Sequence, residues 1–158
     1  MTHNQEFLNQ ALALAVENVK QGGRPFGAVV VKNSVIIASG VNRIRQDSDP
    51  TAHAELLALR EAGKVLQTTR LDECTVYASG QPCPMCLAAM RLAGVKKIIF
   101  AYSNDQAEPF GLSTADVSSE LSLPLEQQSW AFIEHCPPET ENTPHLYELW
   151  HKHSSATP

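Results

Sequence analysis

Two short motifs contain residue types that bind zinc and transfer protons. His53 and Glu55 lie two positions apart, and Cys83 and Cys86 lie three positions apart, directly after a proline. Side chains three positions apart on a helix share one face, and tetrahedral zinc binds thiolate sulfurs at about 2.3 Å. The two cysteines can therefore supply two ligands to one zinc ion.

The chemistry of a catalytic zinc site indicates which further ligand joins the two cysteines. Such a site uses three protein ligands and leaves one position open for water. We predict that His53 is the third ligand, because it lies at the start of a helix that faces the same sheet edge as the cysteines. Glu55 points away from that ligand direction, so we expect it beside the water, where it can transfer protons. This arrangement predicts hydrolysis, in which water activated by zinc attacks an electron-poor aromatic carbon and an amine departs.

Other interpretations of the cysteine pair remain open. A Cys-x-x-Cys pair after a strand also occurs at redox sites of the glutaredoxin type, although a redox role would leave His53 and Glu55 without a function. A purely structural zinc would need a fourth cysteine or histidine in place of water. The alternative of another class is a non-catalytic zinc-bearing interaction module, which would have no need of Glu55.

The residues around both motifs resemble the cytidine deaminase-like superfamily and, within it, the bacterial guanine deaminase branch. The resemblance runs from the first predicted helix to about Ala101, and a His-x-Glu motif followed by Pro-Cys-x-x-Cys is the signature of zinc deaminases. The residues that carry it are Pro25-Phe26-Gly27-Ala28-Val29, Asn42, Thr51-Ala52-His53-Ala54-Glu55 and Pro82-Cys83-Pro84-Met85-Cys86. It implies a three-layer α/β/α cytidine deaminase-like fold with a central mixed sheet of about five strands.

The resemblance also implies the roles of individual residues. One zinc ion per subunit would be bound by His53, Cys83 and Cys86, with proton transfer by Glu55. The base would be contacted by Asn42, Phe26 and the backbone of Ala54. The partners implied are a small-molecule nucleobase and a second copy of the chain in a homodimer, with the C-terminal segment, about residues 137–158, exchanged between subunits.

The implied reaction is deamination of a free nucleobase, with guanine converted to xanthine and ammonia. Two positions depart from the branch: Gln81 replaces a common glutamate, and Leu112-Ser113-Thr114 follow Gly111 where the branch places an acidic residue. Isocytosine, cytosine, adenine and aminotriazines therefore stay open as substrates. A tRNA adenosine deaminase shares both motifs, but the formal net charge of −5 argues against binding a nucleic-acid backbone.

Length and composition favour a single domain over residues 1–158, with 43% hydrophobic and 18% charged residues. No apolar run approaches the roughly 20 residues that cross a bilayer. The N-terminus shows no export signal, so we expect a cytoplasmic protein. The four cysteines would then be free thiols available for a metal or for catalysis.

Apolar periodicity and turn residues predict the elements that must position the motifs. Helices are predicted at residues 4–21, 52–64, 83–92 and 145–152, and strands at residues 27–31, 35–39, 75–79 and 97–101. A further edge strand is expected at residues 129–134, and loops with a short helix at residues 104–126. The last helix is expected to dock Leu146, Leu149 and Trp150. The order strand, helix, strand from residue 75 to residue 101 is typical of an α/β layer with a crossover helix.

Overall fold

The computed structural model describes residues 3–139 and 145–154. In chain order its elements are α1 (His3–Lys20), β1 (Gly27–Lys32), β2 (Val35–Val41), α2 (Ala54–Leu66), β3 (Thr75–Gly80), α3 (Pro84–Ala93), β4 (Lys97–Tyr102), α4 (Asn104–Ala107), α5 (Ala115–Leu121) and α6 (Leu146–Ser154). Short 3₁₀ turns occur at Glu108–Phe110 and Leu125–Gln127. The chain divides into two compact units, one ending at Ser122 and one beginning at Leu123.

The first unit is built on a mixed sheet with the strand order β2-β1-β3-β4. Strand β1 runs antiparallel to both β2 and β3, whereas β3 and β4 are parallel and are joined through α3. A parallel pair needs such a crossover because the chain must return to the same end of the sheet. The helices and strands predicted for residues 4–101 are confirmed, with their ends shifted by a few residues.

Alternation of side chains along the strands divides the core into two layers. Val29, Val31 and Tyr77 point to one face, where Phe7 and Leu8 of α1 cover them. The opposite face presents a second set of buried strand residues to α2 and α3, namely Ala28, Val30, Ala38 and Val76. Because successive residues of a strand point to opposite faces, one sheet supports both helical layers. The three-layer α/β/α arrangement predicted from the sequence is confirmed.

The expected edge strand at residues 129–134 was wrong, and the sheet has four strands among the described residues where about five were expected. Those six positions belong to the second unit and contain no regular structure. Trp130 and Phe132 are exposed, at 59% and 89%. Apolar residues alone do not make a strand, since a strand also needs a neighbouring backbone to satisfy its hydrogen bonds.

The described part of the second unit contains one 3₁₀ turn and α6. The expected docking of Leu146, Leu149 and Trp150 is not observed, because all three side chains are exposed on this chain. Within the predicted exchange segment, residues 140–144 and 155–158 lie outside the described residues. No helix among the described residues is long and apolar enough to span a membrane.

Candidate metal centre and catalytic cavity

The sequence places its metal-binding side chains at the N-termini of two helices. His53 is the N-cap of α2 in an extended conformation, and Cys83 is the N-cap of α3 with Pro84 following at the first helical position. Proline fits there because the first turn of a helix leaves its amide groups without intrahelical partners. Sγ of Cys83 accepts a hydrogen bond from the amide of Cys86 at 3.4 Å. Both helices therefore direct their partial positive ends toward the thiols, which favours their ionised forms.

The three predicted ligands come together around one point. Nδ1 of His53 lies 3.3 Å from Sγ of Cys83 and 3.5 Å from Sγ of Cys86. A nitrogen and a sulfur bound to one tetrahedral zinc at about 2.0 and 2.3 Å lie about 3.5 Å apart, so the observed spacing fits that metal. Among the described residues, the group of side chains placed to hold a metal ion consists of these three. Three ligands leave the fourth position for water, as in catalytic zinc sites.

The two thiols of the metal-free chain differ in acidity. Hydrogen bonding with Cys86 lowers the pKa of Cys83 to about 4, and the same interaction raises the pKa of Cys86. Hydrogen bonding with Cys83 raises the pKa of His53. Cys83 can therefore bind a cation as a thiolate, whereas Cys86 must lose its proton when the metal binds.

Glu55 lies in the first turn of α2 with 7% of its surface exposed. It does not belong to the metal-binding group, but it lines the same cavity as His53 and Cys83. Burial raises the pKa of its carboxyl group. A buried carboxyl group with a raised pKa beside a metal site is suited to accept a proton and return it.

The cavity next to these residues has a volume of about 230 Å³. Its walls come from several elements of the first unit, namely Arg24, Phe26, Asn42, Ile44, His53, Glu55, Gln81, Cys83, Leu112 and Thr114. The structure thus brings the predicted base contacts Asn42 and Phe26 together with the metal-binding group. Ala54 is fully buried in the core and does not line the cavity, so its predicted contact would rely on its backbone amide.

Backbone hydrogen bonds hold Asn42 in the wall of the cavity. Its main-chain amide donates to the carbonyl of Phe26 at 3.2 Å, and its Oδ1 accepts from the amide of Ile44 at 3.2 Å. Within the described part of the chain, Nδ2 of Asn42 donates to no protein acceptor. Asn42 is 3% exposed and lines the cavity, so its unpaired donor can pair with a ligand bound there.

A cavity residue that the sequence did not identify is Thr114. Its Oγ1 is buried and, among the described residues, has no hydrogen-bond partner. Buried polar groups in proteins are almost always paired, so an unpaired hydroxyl in a cavity wall indicates a ligand contact. The stretch from residue 104 to residue 126 lacks the periodicity that would have placed Thr114, and only its position after Gly111 could have pointed to it.

Gln81 connects the metal-binding segment to Thr114. Oε1 of Gln81 accepts from the amide of Asn104 at 2.9 Å, and Oδ1 of Asn104 accepts from the amide of Thr114 at 3.4 Å. The bond from Asn104 needs an acceptor oxygen, which an amide supplies as well as a carboxylate does. Glutamine can therefore replace glutamate at this position without breaking the link.

The remaining cysteines do not take part in the site. Cys74 is a buried free thiol and Cys136 is an exposed one. Neither belongs to the metal-binding group found among the described residues.

Comparison with known proteins identifies what this arrangement is similar to. Residues 1–102 match the family described as the cytidine and deoxycytidylate deaminase zinc-binding region. Guanine deaminase of Bacillus subtilis (strain 168) is 41% identical over 133 residues, covering 84% of this chain and 85% of that protein. The X-ray structure of guanine deaminase from Bacillus subtilis matches with a TM-score of 0.85 at 38% identity, covering 96% of this chain and 95% of that one.

A second group of relatives matches a shorter part of this chain. The tRNA-specific adenosine deaminase of Aquifex aeolicus (strain VF5) is 41% identical over 95 residues, covering 60% of this chain and 63% of that protein. The similarity to the tRNA-specific deaminase therefore leaves a larger part of both chains unmatched than the similarity to guanine deaminase does.

Proposed function

The chain belongs to the cytidine and deoxycytidylate deaminase family and is a zinc-dependent hydrolytic deaminase, and we propose that its substrate is a free nucleobase, with guanine converted to xanthine and ammonia. The observation that carries the proposal is the small cavity in which Glu55 and Asn42 adjoin the zinc-binding group. The extent of the likeness to guanine deaminase, which covers 84% of this chain, supports guanine over other bases.

The chemistry follows from the residues around the cavity. Zinc, when bound by His53, Cys83 and Cys86, supplies Lewis-acid activation of a water molecule at neutral pH. Glu55 accepts a proton from that water and transfers it to the ring nitrogen next to the reacting carbon, and it then carries the proton of the added hydroxyl to the departing amine. Water adds to the carbon that loses the amine, so the products are the carbonyl base and ammonia.

Several groups can orient the base for this reaction. Nδ2 of Asn42 offers a donor, Oγ1 of Thr114 offers a donor and an acceptor, and the ring of Phe26 offers an apolar wall. The backbone amide of Ala54 lies at the first turn of α2, where helix geometry leaves amide groups without intrahelical partners. These groups suit a flat heterocycle with polar edges.

A different aminated heterocycle is the second candidate substrate. The observation that favours it is the neutral stretch Leu112-Ser113-Thr114 after Gly111, because the resemblance to the guanine deaminase branch implies an acidic residue there. A hydroxyl can accept one hydrogen bond from the base but supplies no negative charge. Isocytosine, cytosine, adenine and aminotriazines therefore belong in the substrate panel.

We expect the protein to act as a homodimer with part of residues 137–158 exchanged between subunits. The exposed apolar side chains of α6 support this expectation, since Tyr147 and Trp150 are 84% and 66% exposed on the single chain. A cytoplasmic location also remains a prediction. It is supported by the free state of the cysteines, because thiolate ligands must stay reduced.

The test is ammonia release by the zinc-loaded protein with a panel of free bases, the matching nucleosides and a tRNA anticodon stem-loop. We expect turnover of free guanine and none of the nucleosides, and a Glu55→Gln variant should lose activity by roughly 10²-fold or more while retaining zinc. Activity on another base alone would favour the second candidate. Activity on the stem-loop alone would contradict the proposal of a free base, and an active Glu55→Gln variant would contradict the role of Glu55.

A further inference from the structure

Asn18 lies near the end of α1, outside the cavity walls, and is buried at 5% exposure. Polar side chains are rarely buried to this degree unless they are hydrogen-bonded. Its Nδ2 donates to the carbonyl of Arg24 at 2.8 Å and to the carbonyl of Asn42 at 3.0 Å. A single side chain therefore connects two chain segments that both reach the cavity.

These two bonds complete a closed ring of hydrogen bonds behind the cavity. The carbonyl of Arg24 also accepts from the amide of Phe26 at 2.8 Å, and the carbonyl of Phe26 accepts from the amide of Asn42 at 3.2 Å. The ring thus runs from Asn18 through Arg24, Phe26 and Asn42 back to Asn18. Two of the three residues expected to contact the base, Phe26 and Asn42, are members of it, and Asn18 is the member that contributes to the ring only through its side chain.

The surroundings of Asn18 fit its amide group closely. The carbonyl of Asn18 accepts from the amide of Gly23 at 2.8 Å, which folds the chain tightly after α1. A Cβ atom at Gly23 would lie 2.5 Å from Nδ2 of Asn18, so a larger residue there would displace the amide group. The two hydrogen bonds require an amide group at this position. Its N–H groups can donate to both carbonyl oxygens, whereas a carboxylate or an alkyl group can donate to neither.

We propose that Asn18 is a positioning residue for the deamination reaction, which holds Phe26 and Asn42 in the geometry that binds the base. The proposal rests on the proposed function in that Asn42 and Phe26 are taken to contact the substrate. Removing the donor leaves two buried carbonyl groups without that partner, so the segments that carry these residues shift. A displacement of about 1 Å in a substrate-positioning group can lower the rate by roughly 10²-fold.

The test compares Asn18→Leu and Asn18→Asp with the wild-type protein, using whichever base the wild type deaminates. Both substitutions keep approximately the size of the side chain and remove the donor. We expect kcat/KM to fall tenfold or more, mainly through KM, with zinc content unchanged. The matched control is Asn9→Leu, the same substitution at an exposed position of α1, which should keep both constants within about twofold.

A double-mutant cycle with Asn42→Ala separates positioning from general destabilisation. If Asn18 acts through Asn42, then Asn18→Leu should change kcat/KM less than threefold once the side chain of Asn42 is gone. Gly23→Ala should have the same effect as the substitutions of Asn18, because the added Cβ atom would displace the side-chain amide group of Asn18. It remains informative if the substitutions of Asn18 do not fold.

The outcomes of these experiments are distinct. Wild-type values of KM in Asn18→Asp or Gly23→Ala, or fully additive losses in the cycle, would overturn the proposal for Asn18. Failure of the wild type to deaminate guanine would instead overturn the proposed substrate, and the role of Asn18 would then be measured with the base that is turned over.

Discussion

Sγ of Cys83 lies 3.3 Å from Nδ1 of His53, although 30 residues separate them in the chain. Each of these residues immediately precedes a helix, and both helices pack on the same face of the sheet. The sheet therefore brings two helix N-termini together at one site. This single relationship accounts for a metal centre whose ligands come from two distant motifs.

Removing any of the three ligands should abolish zinc binding. We expect His53→Ala and Cys86→Ser to retain well below one zinc per chain, because two remaining ligands cannot close a stable site. The measurement is metal content after dialysis against a weak chelator. Cys136→Ser, at an exposed free cysteine, is the matched control and should retain wild-type zinc. Full zinc occupancy in Cys86→Ser would contradict the assignment.

Glu55→Gln should make the metal-free protein more stable while it removes activity. Burial raises the pKa of Glu55, so the folded chain holds this proton more tightly than the unfolded chain does. Wild-type stability therefore falls as the pH rises from the ordinary value of 4.5 through the raised pKa, and then stays level. Glutamine does not ionise, so the variant loses no stability over this pH range. The variant should therefore be as stable as the wild type below pH 4.5 and more stable than the wild type above the raised pKa of Glu55.

Thermal unfolding of the two metal-free proteins at pH 4 and pH 8 measures this difference. An advantage of about 1 kcal/mol corresponds to roughly 2–4 °C in Tm for a chain of this size. An equal difference in Tm between the two proteins at both pH values would show that ionisation of Glu55 does not cause the difference in stability.

Local sequence patterns were sufficient to identify the metal-binding centre. Spacing alone puts Cys83 and Cys86 on one helix face, and the need for a third ligand indicates His53. Helix periodicity and β-branched runs also located α1 to α3 and β1 to β4, because these elements bury continuous apolar faces.

Contacts between distant segments could not be obtained in the same way. Thr114 follows an irregular stretch, and it reaches the cavity through a hydrogen bond with Asn104, which in turn bonds to Gln81. Asn18 looks like an ordinary polar residue of an amphipathic helix until the chain folds back onto it. Residues 129–134 have strand-like composition, but composition does not reveal whether a neighbouring strand is present.

Thr114→Val should weaken substrate binding without destabilising the protein. The hydroxyl of Thr114 has no protein partner among the described residues, so valine removes an unpaired polar group and should leave stability unchanged or raise it by about 1 kcal/mol. Loss of one neutral hydrogen bond to the base should raise KM roughly fivefold. Thr69→Val, at an exposed threonine, is the control. An unchanged KM in Thr114→Val would exclude the proposed contact.

Gly40→Ala should disturb the metal centre through the first turn of α2. Gly40 pairs with Ala28 in the sheet, and a Cβ atom there would meet the carbonyl oxygen of Ala54 and lie 2.8 Å from the amide nitrogen of Ala58. Both neighbours are helix backbone, so the helix itself must move. Because His53 and Glu55 lie at the start of this helix, its displacement moves a residue of the metal-binding group and the proposed proton-transfer residue together.

The expected result is a loss of about 1–3 kcal/mol in the free energy of unfolding, the usual range for overpacking, together with weaker zinc binding. Chemical unfolding and competition with a chromogenic chelator measure the two effects separately. Ser39→Ala, at an exposed position of the same strand, adds no atom and should leave both values unchanged. If Gly40→Ala lost stability but held zinc as tightly as the wild type, the coupling between the strand and the metal centre would be refuted. The close contact between β2 and α2 would then serve packing alone.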